Sequence, residues 1–156
     1  MGLTSFVERD GYPSDPEHIF LTAGASAGVS LLLSMLIQHP NSGVLIPIPQ
    51  YPLYTAALAQ FNGAPIPYYL DEQQGWSTSV EAVETALKDA VTRNVEPKAL
   101  VIINPGNPTG ALLDEATQEQ LVKLCEVHSL VLLADGCTRT ICTNVQRIRS
   151  RHSKRW

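Results

Sequence analysis

Apolar and polar positions divide the chain into short uncharged runs and longer segments with a helical stripe. Val44–Ile48, Ala99–Ile103 and Leu130–Ala134 are apolar throughout, and each is bounded by punctuation: Asn41-Ser42-Gly43 before the first, Asn104-Pro105 after the second, Asp135 after the third. Runs of this length without alternation read as strands buried on both faces of a parallel sheet. His18–Thr22 is a similar, shorter run at the front, and Ala64–Leu70, which carries Pro65 and Pro67, suits an edge strand. Between them the pattern turns helical. A small-residue turn at Ala23–Gly28 opens an apolar segment to Ile37, Tyr54–Phe61 forms a short helix, and Val80–Val91 places apolar residues at 80, 83, 87 and 91. Asp114–His128 repeats the stripe with Leu121, Val122, Leu124 and Cys125, and Asp71–Gly75 reads as a surface turn. Strand and helix alternating in this way predict an α/β fold: a mostly parallel sheet between two helical layers.

Candidate chemistry gathers where these strands end. After Ile103 the chain reads Asn104-Pro105-Gly106-Asn107-Pro108-Thr109-Gly110. The two prolines fix φ and the two glycines permit positive φ, so Asn107 sits on a rigid loop past a strand's carboxyl end, where open parallel sheets bind ligands. A plain tight turn before a helix is the competing reading. Gly24, Ala25 and Ser26 lie in the small-residue turn, and such a turn either admits an anion to backbone N–H groups at a helix start or simply packs helix on strand. Tyr51, held between Gln50 and Pro52 after another strand, either stacks on a flat ligand or packs its loop down. Asp135 closes an apolar strand, so it either caps the next turn or meets a cation. The four histidines are isolated and form no ligand spacing, so no metal site is expected.

The loop Asn-Pro-Gly-Asn-Pro-Thr-Gly resembles the signature loop of fold-type I pyridoxal 5′-phosphate (PLP) enzymes, the aminotransferase class I/II family, and this version is most similar to its alanine aminotransferase branch. The resemblance implies a partial large domain of that fold, with Gly24, Ala25 and Ser26 at the PLP phosphate and Tyr51 over the ring. It implies Asn107 on the ring's 3-oxygen and Asp135 against the pyridine nitrogen, with Tyr54 a second candidate for the aromatic cover. An intact family member exchanges an amino group between L-alanine and 2-oxoglutarate and works as a homodimer. The family's strand order, first, seventh, sixth, fifth, fourth, second, third, further implies that Ala64–Leu70, Val44–Ile48, Ala99–Ile103 and Leu130–Ala134 pair contiguously. In that order His18–Thr22 lacks both neighbours, and Leu130–Ala134 is left as a bare edge.

The resemblance runs from about Arg9 to Asp135 and then fails. Where alanine aminotransferases resemble Asp-Glu-Val-Tyr-Gln, this chain has Asp135-Gly136-Cys137-Thr138-Arg139. Codons for the stretch after Asp135, entered at the third nucleotide of the Gly codon, can read Val-Tyr-Gln, so one deleted nucleotide would produce the tail. Residues 1–135 are thus expected to form a partial PLP-binding domain, and 136–156 an out-of-frame, disordered tail. The family's cofactor-linked lysine and its substrate-binding arginine both lie further on, so the expectation is a catalytically inactive chain with no catalytic residue of its own. Lys88, Lys98 and Lys123 are expected on helices or loops away from the strand ends. The alternatives are an inactive protein that docks on an intact subunit, and a phosphate-ligand module unrelated to PLP.

Composition changes this picture little. The 156 residues are 44% hydrophobic with mean hydropathy near zero, ordinary for one globular domain. The net charge of −4 hides an asymmetry: all fifteen acidic residues lie at or before Asp135, and six of the eleven basic ones lie at or after Arg139. A basic tail of that kind suits nucleic acid or plain solvation; the frame reading makes it neither, and no nucleic-acid partner is expected. No run approaches the ~20 apolar residues of a membrane span, and the first residues lack a basic region followed by an apolar one, so neither a membrane nor the secretory route is expected. Three cysteines in no metal-type pairing suggest reduced thiols inside a cell, in cytoplasm or mitochondrion.

Overall fold

The uncharged runs do pair as strands. In a computed structural model, which describes Glu17 and residues 19–136, four parallel strands form one sheet: β1 (Ser42–Ile48), β2 (Ala64–Tyr69), β3 (Glu96–Ile103) and β4 (Val131–Asp135), in the spatial order β2-β1-β3-β4. This is the contiguous order expected from the resemblance. Four helices connect and cover them: α1 (Ala25–Leu36), α2 (Leu53–Gln60), α3 (Val80–Thr92) and α4 (Glu115–His128).

The period-2 alternation of each strand sends its side chains into two cores. Val44, Ile46, Ala99, Val101 and Leu133 pack with Leu33 of α1 and with Tyr54 and Leu58 of α2. Leu45, Ile66, Leu100 and Ile102 pack on the other face with Val83 and Leu87 of α3 and Leu121 of α4. The result is the expected three layers, two helices on each face. The α3 stripe is slightly rotated from the sequence expectation: Val83, Ala86, Leu87 and Ala90 are buried, while Val91 is 70% exposed. A 3.6-residue period moves the inward face from 87 to 90 and leaves 91 a further 100° round the helix.

Two further expectations need correction. Residues 19–22 form no strand, and Phe20 and Leu21 are 84% and 79% exposed; His18 itself lies outside the described residues. A strand exists only through its ladder partner, and none of the described strands borders this segment. Lys98 sits within β3 rather than on a helix or loop, but near the strand's amino end, where it pairs with Glu96. The expectation of a disordered tail at 136–156 falls, beyond Gly136, outside the described residues.

Pro65 and Pro67 fit β2 because of its position. Leu70 donates its N–H to the Ile48 carbonyl, so the even-numbered residues of β2 face β1. The two prolines therefore turn their missing N–H groups outward, where they cost nothing and block a further strand.

Candidate functional site

Two connections diverge at the centre of the sheet. From β1 the chain leaves through α2, on one face, to β2; from β3 it leaves through α4, on the opposite face, to β4. The boundary between β1 and β3 is thus a topological switch point, and the crevice outside its carboxyl ends is the place where such sheets bind ligands. The loops flanking that crevice are 49–52 after β1 and 104–110 after β3.

These loops hold three of the sequence-predicted residues together. Tyr51 donates its N–H to the Asn107 carbonyl at 2.9 Å, tying one loop to the other. Asp135 stands opposite Ile103 in the β3–β4 register, and its carbonyl accepts the Asn104 N–H at 3.0 Å. Within the second loop, Gly106 donates to Ala111 at 2.8 Å, Gly110 to Gly106 at 2.7 Å with φ of 71°, and Leu113 to the Asn104 side-chain oxygen at 3.2 Å. Cis peptide bonds precede Pro49, Pro105 and Pro108. The loop is therefore tied down by bonds within itself and to both neighbouring strand ends, while Asn107 is exposed.

The Asp135 carboxylate is half-buried and accepts a hydrogen bond from the Tyr54 hydroxyl at 3.0 Å, although the two residues are 81 positions apart. Tyr54 is buried under α2, and its hydroxyl is thereby delivered to the sheet's carboxyl edge. The sequence offered Tyr54 only as a second aromatic cover; its contact with Asp135 had no sequence signal beyond its place at the start of a helix. The ring at the edge is Tyr51, 58% exposed. Gln50 was not singled out from the sequence. Its Nε2 donates to Thr55 Oγ1 at 2.8 Å, and its Oε1 is buried with no partner among the described residues.

Gly24, Ala25 and Ser26 start α1 on the α2 side of the sheet, with Gly24 at φ 91°. Among the described residues no side chain caps this helix or α2, whereas Ser79 caps α3 and Asp114 caps α4. Thr22 and Gly24 bond only within residues 22–28, and no hydrogen bond among the described residues ties this turn to Tyr51, Asn107 or Asp135. The structure thus links Tyr51, Asn107 and Asp135 through the loops and strand ends, and places the small-residue turn at the start of α1 on one face of the sheet.

On the α3–α4 face of the same edge lies a partly open cavity lined by Pro47, Tyr68, Trp76, Ile102 and Asn107, with a volume of about 20 Å³. That is room for about one water. A ring-sized ligand belongs on the open edge instead. Among the described residues no group of histidine, cysteine, aspartate and glutamate has metal-binding geometry, and no helix is long and apolar enough to cross a membrane.

The fold is that of known aminotransferases. Alanine aminotransferase from Pyrococcus furiosus superposes with a TM-score of 0.73 at 25% identity, over 85% of this chain and 32% of its own, and a Thermus thermophilus aspartate aminotransferase variant with 0.74 at 24%. A family model, aminotransferase class I and II, matches residues 2–137, and the chain belongs to that family. Within the family it resembles alanine aminotransferases. It is 52% identical over 134 residues to a probable mitochondrial alanine aminotransferase of Dictyostelium discoideum, and 53% over 126 to the mitochondrial enzyme of Saccharomyces cerevisiae. These alignments cover 85% and 81% of this chain but 25% and 21% of the relatives, so the chain spans about a quarter of the length of the curated relatives it matches.

Proposed function

We propose that the carboxyl edge at the β1–β3 switch point is a PLP site, and that this chain supplies the cofactor-holding part of an aminotransferase acting on L-alanine and 2-oxoglutarate. The observation that carries the proposal is the convergence there of Tyr51, Asn107 and Asp135, from three strand ends.

The residues present suit the group. Asp135 is an acceptor fixed by Tyr54, fitted to hold a protonated ring nitrogen. Asn107 offers a side-chain N–H to a ring oxygen from a loop that has no slack. Tyr51 presents an exposed ring to a flat one, and the N–H groups of Ala25 and Ser26 open an exposed helix start that has no side-chain cap, beside a helix dipole that favours a phosphate. When bound, PLP supplies an electron sink for the bond broken at the amino acid's α-carbon. What the chain's own residues do is orient that ring, keep its nitrogen protonated and screen one face from water. Lys88 and Lys123 lie on α3 and α4, and Lys98 lies near the amino end of β3, so no lysine among the described residues stands at the carboxyl edge. Reversible, non-covalent retention of PLP by these residues is the consequence.

The relatives' names place those proteins in mitochondria; an intracellular, homodimeric parent is proposed here on that basis and on the resemblance. Residues 136–156 are proposed to be out-of-frame translation, in keeping with a family match that stops at 137.

Equilibrium dialysis of the chain against PLP tests the site. Wild type should retain PLP, and Asn107→Ala and Asp135→Ala should each weaken it by roughly 10- to 100-fold, the loss of one charge-assisted hydrogen bond of ~1.5–3 kcal/mol. Equal affinity in all three chains would place the ligand elsewhere. Borohydride treatment with PLP should label none of Lys88, Lys98 and Lys123 stoichiometrically.

A further inference from the structure

The β1–β3 ladder stops at Leu45 and Leu100, although each strand continues for three more residues. The cause is legible in the backbone. Successive strand residues point their N–H and C=O groups at alternate neighbours. Ile48 accepts from Leu70, so even-numbered residues of β1 face β2 and odd-numbered ones face β3. Asn104 donates to Asp135, so even-numbered residues of β3 face β4 and Val101 faces β1. The next N–H due at the Val101 carbonyl is therefore that of position 47, and position 47 is proline.

The carbonyl does not go without. The Tyr68 hydroxyl reaches from β2, past β1, and donates to it at 2.8 Å. Tyr68 is 2% exposed, and burial holds its hydroxyl in the protonated, donating form far above the ordinary tyrosine range. A central strand thus carries a proline at the one position where its missing donor is replaced from the next strand over. Beyond Leu45 and Leu100 no further β1–β3 pair forms, and after the strands end come the loops that carry Tyr51 and Asn107.

We propose that Pro47 and Tyr68 form a spacer that keeps β1 and β3 apart at the switch point, and that Tyr68 is thereby a positioning residue for the ligand edge. It touches no ligand itself and acts through β3 on Asn104 and Asn107. This inference rests on the carboxyl edge being the PLP site.

Three variants of the full chain test it, each read by thermal melting and by PLP dialysis. Tyr68→Phe orphans a buried carbonyl, so Tm falls by about 5 °C and PLP affinity falls about tenfold. Pro47→Ala restores the ladder donor and draws the strands together, so Tm holds or rises while PLP affinity again falls about tenfold. The double variant regains the wild-type Tm but not the affinity. That divergence is the signature of positioning; affinity that simply follows Tm through all three variants overturns the proposal. Should Tyr68→Phe not fold, Pro47→Ala decides alone, and a stable Pro47→Ala chain with wild-type affinity overturns it. A wild-type chain that takes up no PLP refutes the site reading instead. The spacer is then decided without ligand by amide exchange at Ile103, which Pro47→Ala should slow; unchanged exchange overturns it.

Discussion

Tyr54 and Asp135 are the pair on which the ligand edge turns at the level of single residues. Removing the Tyr54 hydroxyl with Tyr54→Phe leaves the ring in its core position, so the fold should persist while PLP affinity falls severalfold; dialysis at unchanged Tm reads this. Gly106 is constrained for a different reason. A Cβ there would collide with Thr109 Oγ1, so Gly106→Ala must turn the Thr109 side chain away from the Ala111 N–H that it accepts, and should weaken PLP binding more than it lowers Tm. Cys125 is buried beneath α4, and burial pushes its thiol up to about 11. The folded state then holds the proton more tightly than the unfolded one, so this contribution is intact below the ordinary thiol value of ~8.5 and is lost as pH rises toward 11. Denaturant melts across that interval should show declining stability, with Cys125→Ala flattening part of the decline. Much of this scale was readable beforehand. Tyr51, Asn107 and Asp135 stood out because Asp135 closes an apolar strand and the other two sit on punctuated loops just past a strand's carboxyl end. Tyr54 and Gln50 did not, because their significance is a contact over sequence distance or a buried atom, and neither leaves a local pattern.

Among the elements, the strands followed from their composition and the edge strand from its prolines. The exception is instructive. Residues 19–22 have a strand's composition and no strand's structure, since β propensity is realised only against a partner. Their amides should exchange much faster than those of Ala99–Ile103; equal protection would mean that this segment pairs after all. Pro47 is the converse case. Proline inside an apolar run argues against a central strand, yet β1 is central, and Tyr68 on another element removes the objection in a way no local reading could find. The helix ends are better determined. Asp114 accepts the Thr117 N–H at 2.8 Å and its hydroxyl at 2.7 Å, bonds that hold the carboxyl below the ordinary aspartate range. Asp114→Ala should cost ~1 kcal/mol. Because the folded pKa is the lower one, the contribution is present above pH ~4 and fades as the solution is acidified.

Taken whole, the molecule is closed on one side and open on the other. Prolines blunt the β2 edge, whereas β4 has a single neighbour among the described strands and Val131 is 43% exposed. Leu31, Leu32 and Met35 along α1 are exposed as well, at 53%, 41% and 58%. Such exposed apolar surface predicts concentration-dependent association, visible by light scattering and reduced by Val131→Lys at the edge. The proposed tail makes a separate prediction: the nucleotide sequence past the Asp135 codon should contain, one frame away, a continuation reading Val-Tyr-Gln, and its absence contradicts the frame account. The central claim remains that PLP is held at the β1–β3 carboxyl edge. Titrating the isotope-labelled chain with PLP and following its amide resonances tests this most directly. The account predicts shifts confined to Gly24–Ser26, Tyr51–Tyr54, Asn104–Asn107 and Asp135, with His39–Ser42 and Glu96 at the opposite edge unmoved. Shifts centred on the amino edge or on the α3–α4 face, with Tyr51, Asn107 and Asp135 silent, would contradict it.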